Sequence, residues 1–554
     1  MSADHTVTRK EVLKSILIAA AAGSLPASAM AAVQGGAPAS EITLDDLKSF
    51  EKIAGISFAD DERKRVLGEI RGARAGFETV RKETILPTTG ISTPFIPLGG
   101  GSVHGAKVHA RSSDPSVKRP SSDEDLAFMS VRELGHLIRT RQVSPVELTE
   151  VYIARLKRYG DRLIAVVNLT EDLAMQQAHA AEAEIRAGHY RGPLHGIPYG
   201  IKDLFSVKGL PTTWGAGPYE HQVFDYDATV VKKLEAAGAI LLAKLSCGSL
   251  AQGDVWFKGT TKNPWNPKQG SSGSSAGSAS ATAAGLVGFS IGTETYGSIT
   301  SPSVRCRVTG FRPTFGRVSR YGAMELSYTM DKVGPICREV EDCALVFAAI
   351  CGSDAQDLAA VDREFQYPHR VSVKKLKVGW AGSEAAMATD PILKVFKDLG
   401  ASVRFAKFTP IPDGVNQILD VEAGSAFDEF TRTDTIHGLK NSSWPETFRA
   451  SRYVPAVEYL QAQRARTLLM HRFEAELGDM DIVVGNGVLG AILGHCNYCG
   501  HPQVALPFGG DANGNSIAKS LVGRLYRDDE LLSVAKVVQD HFDFHRKRPD
   551  LTKV

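Results

Sequence analysis

Apolar and polar positions change period several times along the 554 residues. From Glu41 to Thr84 the chain is charged, and Leu44, Leu47, Phe50 and Ile53 recur at roughly a helical period, which predicts a small helical extension. Residues 86–123 carry Pro, Gly, Ser and mixed charge without a period and read as linker or surface loop. The main domain is expected over 124–546. There SVRELGHLIRTRQVSPVELTEVYIARLKRYG predicts a helical pair, and VVKKLEAAGAILLAKL a helix that ends at Gly238 and feeds a strand. The helix-then-strand unit returns in PILKVFKDLGASVRF, after the strand-like LKVGWA. Such alternation predicts an α/β fold with a mixed, mostly parallel central sheet covered by helices. No internal repeat of solenoid length is present.

One stretch breaks the pattern. Residues 270–285, GSSGSSAGSASATAAG, have the composition of a flexible linker, yet run straight into LVGFSIGTETYGSI, which reads as buried structure.

At 43% hydrophobic and 23% charged the composition is globular. With 64 basic against 62 acidic residues there is no field to attract nucleic acid, so a small-molecule partner is expected. Residues 1–32 differ from the rest. A basic segment, Thr8 to Lys14, precedes an apolar run from Ile16 to Leu25 and then ASAMAA, the order of an export signal cleaved near Ala29 to Ala32. The Arg9-Lys10 pair resembles a twin-arginine signal one Arg short. These features predict an exported, periplasmic or secreted protein with no stable membrane insertion after cleavage, the apolar run being too short to span a bilayer. The seven Cys are odd in number and not spaced as a disulfide framework. Cys496 and Cys499, beside His495 and His501, leave a local disulfide open, but immediate neighbours point apart, so plain core cysteines are favoured over a metal site.

Two segments match the G-x-S-x-G pattern, around Ser275 and Ser290, but neither has the strand-then-helix context a nucleophile elbow needs. The S-x-x-K matches at Ser372 and Ser533 are of the kind chance produces in a chain this long. A different constellation joins three segments: GPLHGIPYGIKDLFSVKGLPTT with Lys202 in an apolar run, the 270–285 stretch, and Gly292-Thr293-Glu294-Thr295-Tyr296-Gly297-Ser298-Ile299. A serine needs a base to attack a carbonyl, and a lysine serves if burial lowers its pKa from about 10.4 toward neutrality.

These segments, with TSPSVRCRVTGFRPTFGRVSRYG, DKVGPICREVEDCA and GHPQVALPFG, resemble the amidase signature family of serine amidohydrolases from about Leu126 to about Asp540. The resemblance implies a triad of Ser298 as nucleophile, Ser274 as a bridging serine in cis peptide geometry, and Lys202 as base. It also implies an oxyanion hole from the backbone N–H groups of Thr295, Tyr296, Gly297 and Ser298. No metal or other cofactor is called for. Three positions depart from the family pattern: Tyr296 replaces a Gly, Glu294 an Asp, and Thr300 stands where an Arg is frequent. Asp203 is expected to face away from Lys202, toward backbone N–H groups, because its charge would otherwise keep the ammonium protonated. The implied reaction is hydrolysis of a linear carboxylic amide, and of esters, through an acyl-enzyme. The rival readings are a catalytically silent binding protein on the same scaffold and an amidotransferase A-type subunit. Substrate identity and homo-oligomerisation are left open.

Overall fold

In the computed structural model, residues 41–85, 106–511 and 514–554 are described, and the chain divides into two compact units, Met1–Leu67 and Gly68–Val554. The residues read as an export signal lie outside the described residues.

In the first unit, helix α1 (Leu44–Ala54) starts at Thr43, whose side chain accepts from the Asp46 N–H while the Asp46 carboxylate accepts from the Thr43 N–H. Such a cap is typically worth ~1 kcal/mol. Leu47 is buried but Ile53 is 87% exposed, so the apolar spacing does not make one continuous inner face. The tertiary tie is polar. Arg63, on helix α2 (Asp60–Lys82), donates from Nε and Nη2 to the buried Glu51 carboxylate at 2.8 and 2.7 Å.

The second unit is built on eleven strands: β1 (Val166–Leu169), β2 (Pro198–Lys202), β3 (Ile240–Leu245), β4 (Phe289–Glu294), β5 (Thr309–Arg312), β6 (Lys332–Cys337), β7 (Lys377–Trp380), β8 (Ser402–Phe405), β9 (Ile482–Asn486), β10 (Gln503–Gly510) and β11 (Ser516–Val522). They lie in the order β8-β7-β9-β11-β10-β5-β6-β4-β2-β3-β1. Parallel pairs, β3-β2-β4 on one side and β8-β7-β9 on the other, coincide with the segments where helix and strand alternate in the sequence. Antiparallel pairs join the two halves, so the sheet is mixed. A strand such as β3, ILLAKL, is buried at every position, which requires helices on both faces.

The predicted helical pair forms as α3 (Val131–Arg139) and α4 (Pro145–Leu163). Ser130 and Ser144 cap their N-termini, and Pro145 sits at the start of α4, where its missing N–H has no intrahelical role. Part of the stretch read as loop is a short strand, since Val108–Ala110 pairs in parallel with Phe365–Tyr367. Three residues are too few to show a period.

The linker-like stretch is packed. Its second half is helix α5 (Ala276–Ala283), buried at every position. A Cβ on Gly273 would fall 1.9 Å from the Gly253 carbonyl oxygen, and one on Gly277 would fall 2.5 Å from both the Ala165 oxygen and the Ser246 nitrogen. Small residues are there because backbones approach, not because the chain is loose. The seven cysteines are free and buried.

Candidate active site

The sheet brings Lys202 and the Ser298 loop together through one pairing. Strands β2 and β4 are adjacent and parallel, with Ile201 opposite Ile291. Lys202 is the last residue of β2 and Glu294 the last of β4, so both emerge at the same edge, where α/β folds place reactive groups. Lys202 Nζ is buried, 2.8 Å from Ser274 Oγ, 2.8 Å from Thr293 Oγ1 and 3.5 Å from the Thr293 carbonyl. Burial pulls its pKa from 10.5 down to about 8, against weaker upward pulls from Cys247, Asp331 and Glu294. The Gly273–Ser274 peptide is cis.

Asp203 does face away. Its Oδ2 accepts from the Thr213 N–H at 2.9 Å and from the Thr213 hydroxyl, and its Oδ1 lies 2.9 Å from Lys244 Nζ. The backbone N–H contact matches the expectation. The ion pair with Lys244 adds a neutralising partner that the sequence did not suggest.

Ser298 is half-buried, and its hydroxyl makes no hydrogen bond within the described residues. Ser274 and Ser298 are tied through the residue between them in space: the Ser275 N–H donates to the Ser298 carbonyl at 3.1 Å. Gly297 adopts φ +98°, a conformation that L side chains rarely take, and it turns the loop. The N–H groups of Tyr296, Gly297 and Ser298 have no acceptor among the described residues. The Thr295 side chain donates to Asp331, and Lys332 Nζ donates to the Thr295 carbonyl at 3.3 Å, fixing the first residue of the loop.

Glu294 anchors the same loop from below. Its Oε2 accepts from the Ile299 and Thr300 N–H groups, both at 2.9 Å, and from the Thr300 hydroxyl at 3.0 Å, while Oε1 accepts from Arg312 Nη1 at 2.6 Å. Burial would raise this carboxyl, but Arg312, Lys332 and the Thr300 amide outweigh it and hold it at about 2. The departures at positions 294 and 300 thus form one bonded unit, in which the longer carboxylate reaches both the loop amides and Arg312. The charge of Glu294 contributes stability above the ordinary glutamate pKa of 4.5 that is lost as pH falls toward about 2. Glu294→Gln leaves Arg312 buried without its counter-charge, and chemical denaturation at pH 7 is expected to show a loss of about 3–5 kcal/mol.

Tyr296 is 42% exposed and packs edge-on to Tyr498, ring centroids 5.9 Å apart. A Cβ on Gly494 would lie 2.5 Å from its hydroxyl, so the residue leans on a gap that the glycine leaves.

The alternative serines are structural. Ser275 Oγ donates to the Thr293 carbonyl at 3.1 Å, and Ser290 Oγ to the Ser278 carbonyl at 2.9 Å, both buried. Ser533 Oγ donates to the Asp529 carbonyl inside a helix, and Ser372 precedes a short 3-10 turn. His495 is hydrogen-bonded to the Thr409 carbonyl and His501 to Glu474, each at its own side of the segment. Among the described residues no group of His, Cys, Asp and Glu has the arrangement of a metal site. Sequence reading missed Thr293, Arg312 and Lys244, whose roles depend on neighbours distant in the chain.

The fold and this arrangement define a serine amidohydrolase scaffold. An amidase family model matches residues 147–485. The A-type subunit of the glutamyl-tRNA(Gln) amidotransferase of Anaeromyxobacter dehalogenans (strain 2CP-C) is 32% identical over 477 residues, covering 75% of this chain and 96% of that protein. Its counterpart in Acinetobacter baumannii (strain AB0057) is 30% identical, covering 76% and 98%. Among solved structures, an amidase family protein from Bacillus anthracis str. Ames aligns with a TM-score of 0.69 at 26% identity, covering 77% of this chain and 94% of that one. The peptide amidase of Stenotrophomonas maltophilia aligns with a TM-score of 0.66 at 24% identity, covering 76% and 98%, a likeness of fold. This chain belongs to the amidase signature family.

The relatives correct one expectation. They are named as subunits of a glutamyl-tRNA(Gln) amidotransferase, which does not accord with the exported, periplasmic or secreted location expected from residues 1–32. A basic segment followed by an apolar one and small residues is a compositional pattern that does not by itself specify export. No described helix is long and apolar enough to cross a membrane.

Proposed function

We propose that this chain cleaves a carboxylic amide by acyl transfer to Ser298, with Lys202 as base acting through Ser274. The observation that carries the reading is the buried Lys202 amine, its pKa lowered to about 8, 2.8 Å from the Oγ of Ser274, which lies on a loop tied to Ser298 by the Ser275 N–H, which donates to the Ser298 carbonyl at 3.1 Å. The Ser274 proton passes to Lys202 Nζ as the Ser298 proton passes to Ser274, and Ser298 Oγ attacks the carbonyl carbon. The N–H groups of Thr295 to Ser298 take the resulting oxyanion. The C–N bond breaks as the same relay returns the proton to the leaving amine. Water, deprotonated by the relay, then attacks the ester, releases the acid and restores Ser298. A less basic leaving group makes esters substrates as well.

A second reading, an amidotransferase A-type subunit, has direct support in the curated relatives, which match at 30–32% identity over nearly their whole length. The chemistry to the acyl-enzyme is then the same, with glutamine as the amide and ammonia delivered to a charged tRNA. On this point the relatives favour the subunit over a free-standing amidase. The two readings divide on what the purified chain does alone. A panel of glutamine, small amides, aryl amides and esters, followed by mass spectrometry with and without partner subunits and glutamyl-tRNA, separates them. Partner-independent turnover of non-glutamine amides supports the amidase. Turnover of glutamine that requires the partners supports the subunit. No turnover in either arm, with no fluorophosphonate labelling of Ser298, leaves a silent scaffold.

A further inference from the structure

A cleft of about 1500 Å³ opens in the second unit, with none of Lys202, Ser274 and Ser298 in its lining. Its lining is unusually aromatic for a chain that is 8% Phe, Trp and Tyr, with Trp214, Tyr219, Phe427 and Phe430 forming one continuous group. Trp214 and Tyr219 have ring centroids 4.7 Å apart, Tyr219 and Phe430 5.7 Å, and Phe427 meets both Trp214 and Phe430 at 6.2 Å.

The charge of the lining is one-sided. Its one cationic side chain, Arg320, is fully engaged: Nε and Nη2 each donate to the Asp357 carboxylate at 2.7 Å, and Nη1 donates to the Tyr328 carbonyl at 2.6 Å. Two further carboxylates, Glu325 and Glu429, line the cleft with no ion pair among the described residues. Burial pushes the Glu325 carboxyl up, offset by Arg320 and reinforced by Asp331 and Asp357, as crowding among like charges requires. Arg363 and Lys232 already cover the rings of Tyr526 and Tyr321. Among the described residues no such cation covers the group of four rings beside Glu429.

The inner wall of this cleft, Arg320, Ala323, Met324 and Glu325, also borders a small cavity reached by Thr293, Thr295 and Lys332. Thr293 Oγ1 holds Lys202 Nζ, and Thr295 opens the Ser298 loop. Ser298 itself borders neither cavity, so the cleft shares a wall with the surroundings of Thr293 and Thr295 rather than lying over the reacting atoms.

From the pairing of aromatic faces with unneutralised carboxylates, we propose that this cleft selects amides carrying an aryl or arylalkyl group with a positive charge, and discriminates against carboxylate-bearing ones. The inference rests on the amide-cleaving reading above and names its substrate class. An ammonium over Tyr219 or Trp214 gains from the ring faces, and again from Glu325 and Glu429, while a carboxylate meets repulsion from both. Free glutamine, which has no aryl group and whose α-ammonium is offset by its α-carboxylate, is on this account a poor occupant.

The test uses three matched aryl amides, with a para aminomethyl, methyl or carboxymethyl group, and two unreactive probes, phenethylammonium and 3-phenylpropionate, whose binding is followed by calorimetry on the full chain. The ammonium amide is expected to exceed the carboxylate amide in kcat/KM by about 10-fold or more, with most of the difference in KM. Glu429→Gln and Glu325→Gln should each narrow that ratio, and 0.5 M salt should narrow it further. Turnover without charge preference, or a preference untouched by both substitutions, overturns the inference. A binding preference for phenethylammonium over 3-phenylpropionate with no turnover of any amide sustains the cleft's selectivity and overturns the amide-cleaving reading instead.

Discussion

Ser298→Ala is expected to lower amide turnover on the order of 10⁴- to 10⁶-fold and to leave the fold unchanged. Under the proposed mechanism the loss is large because the substitution removes the only atom that forms the acyl-enzyme, and the remaining loop N–H groups cannot replace a covalent step. The fold is spared because the hydroxyl makes no hydrogen bond within the described residues and the residue is only half-buried, a setting in which truncation costs less than about 0.5 kcal/mol. A fluorophosphonate should attach to Ser298 in the wild-type chain, read by mass spectrometry of the labelled peptide. Ser275 and Ser290 are poor targets because both hydroxyls are buried and already donate to carbonyls. Label on either, or full turnover by the Ser298→Ala variant, would move the nucleophile elsewhere.

How much of this site the sequence disclosed follows from how local each interaction is. Lys202, Ser274 and Ser298 sit in short, distinctive strings, and one parallel pairing, β2 with β4, sets Lys202 beside the strand that leads into the Ser298 loop. The Gly/Ser/Ala stretch was ambiguous because composition reports that residues are small and not what lies against them. Only the approach of the Gly253 and Ala165 carbonyls decides between linker and packed loop. Glu294 was visible as a departure, but its partner Arg312 lies on another strand, and a guanidinium eighteen positions away carries no local signal. Thr293 was hidden for a different reason: a threonine in a strand is expected for its shape alone. The cleft was beyond reach, since its aromatic group comes from segments near residues 214–219 and 427–430 with no shared period. The fold class was legible because the helix-then-strand unit recurs along the chain, around β3 and around β7 and β8, whereas a charge imbalance across a concave surface leaves no such trace.

Lys202→Ala is expected to slow acylation on the order of 10²- to 10⁴-fold, and to slow amides more than matched esters, because an amine must receive the returned proton to leave and an alkoxide needs it less. The pH profile should report the same group. With a pKa of about 8 in the folded chain, the neutral amine becomes the major form as pH rises through that value, so wild-type kcat/KM should climb along an acid limb there and level off above it. The limb should vanish in Lys202→Ala. Stability gives an independent readout with a definite sign. The buried ammonium is disfavoured, so the unfolded chain, with its lysine near 10.5, binds more protons than the folded one between about 8 and 10.5. Below pH 8 the fold therefore carries the full penalty, about 3 kcal/mol by the size of the shift, and sheds it as pH rises toward 10.5. Lys202→Met, which keeps the volume and removes the charge, should flatten that part of the stability curve while abolishing the acid limb of activity. Equal losses on amide and ester, with the limb retained in the variant, would make Lys202 a packing residue and place the base elsewhere.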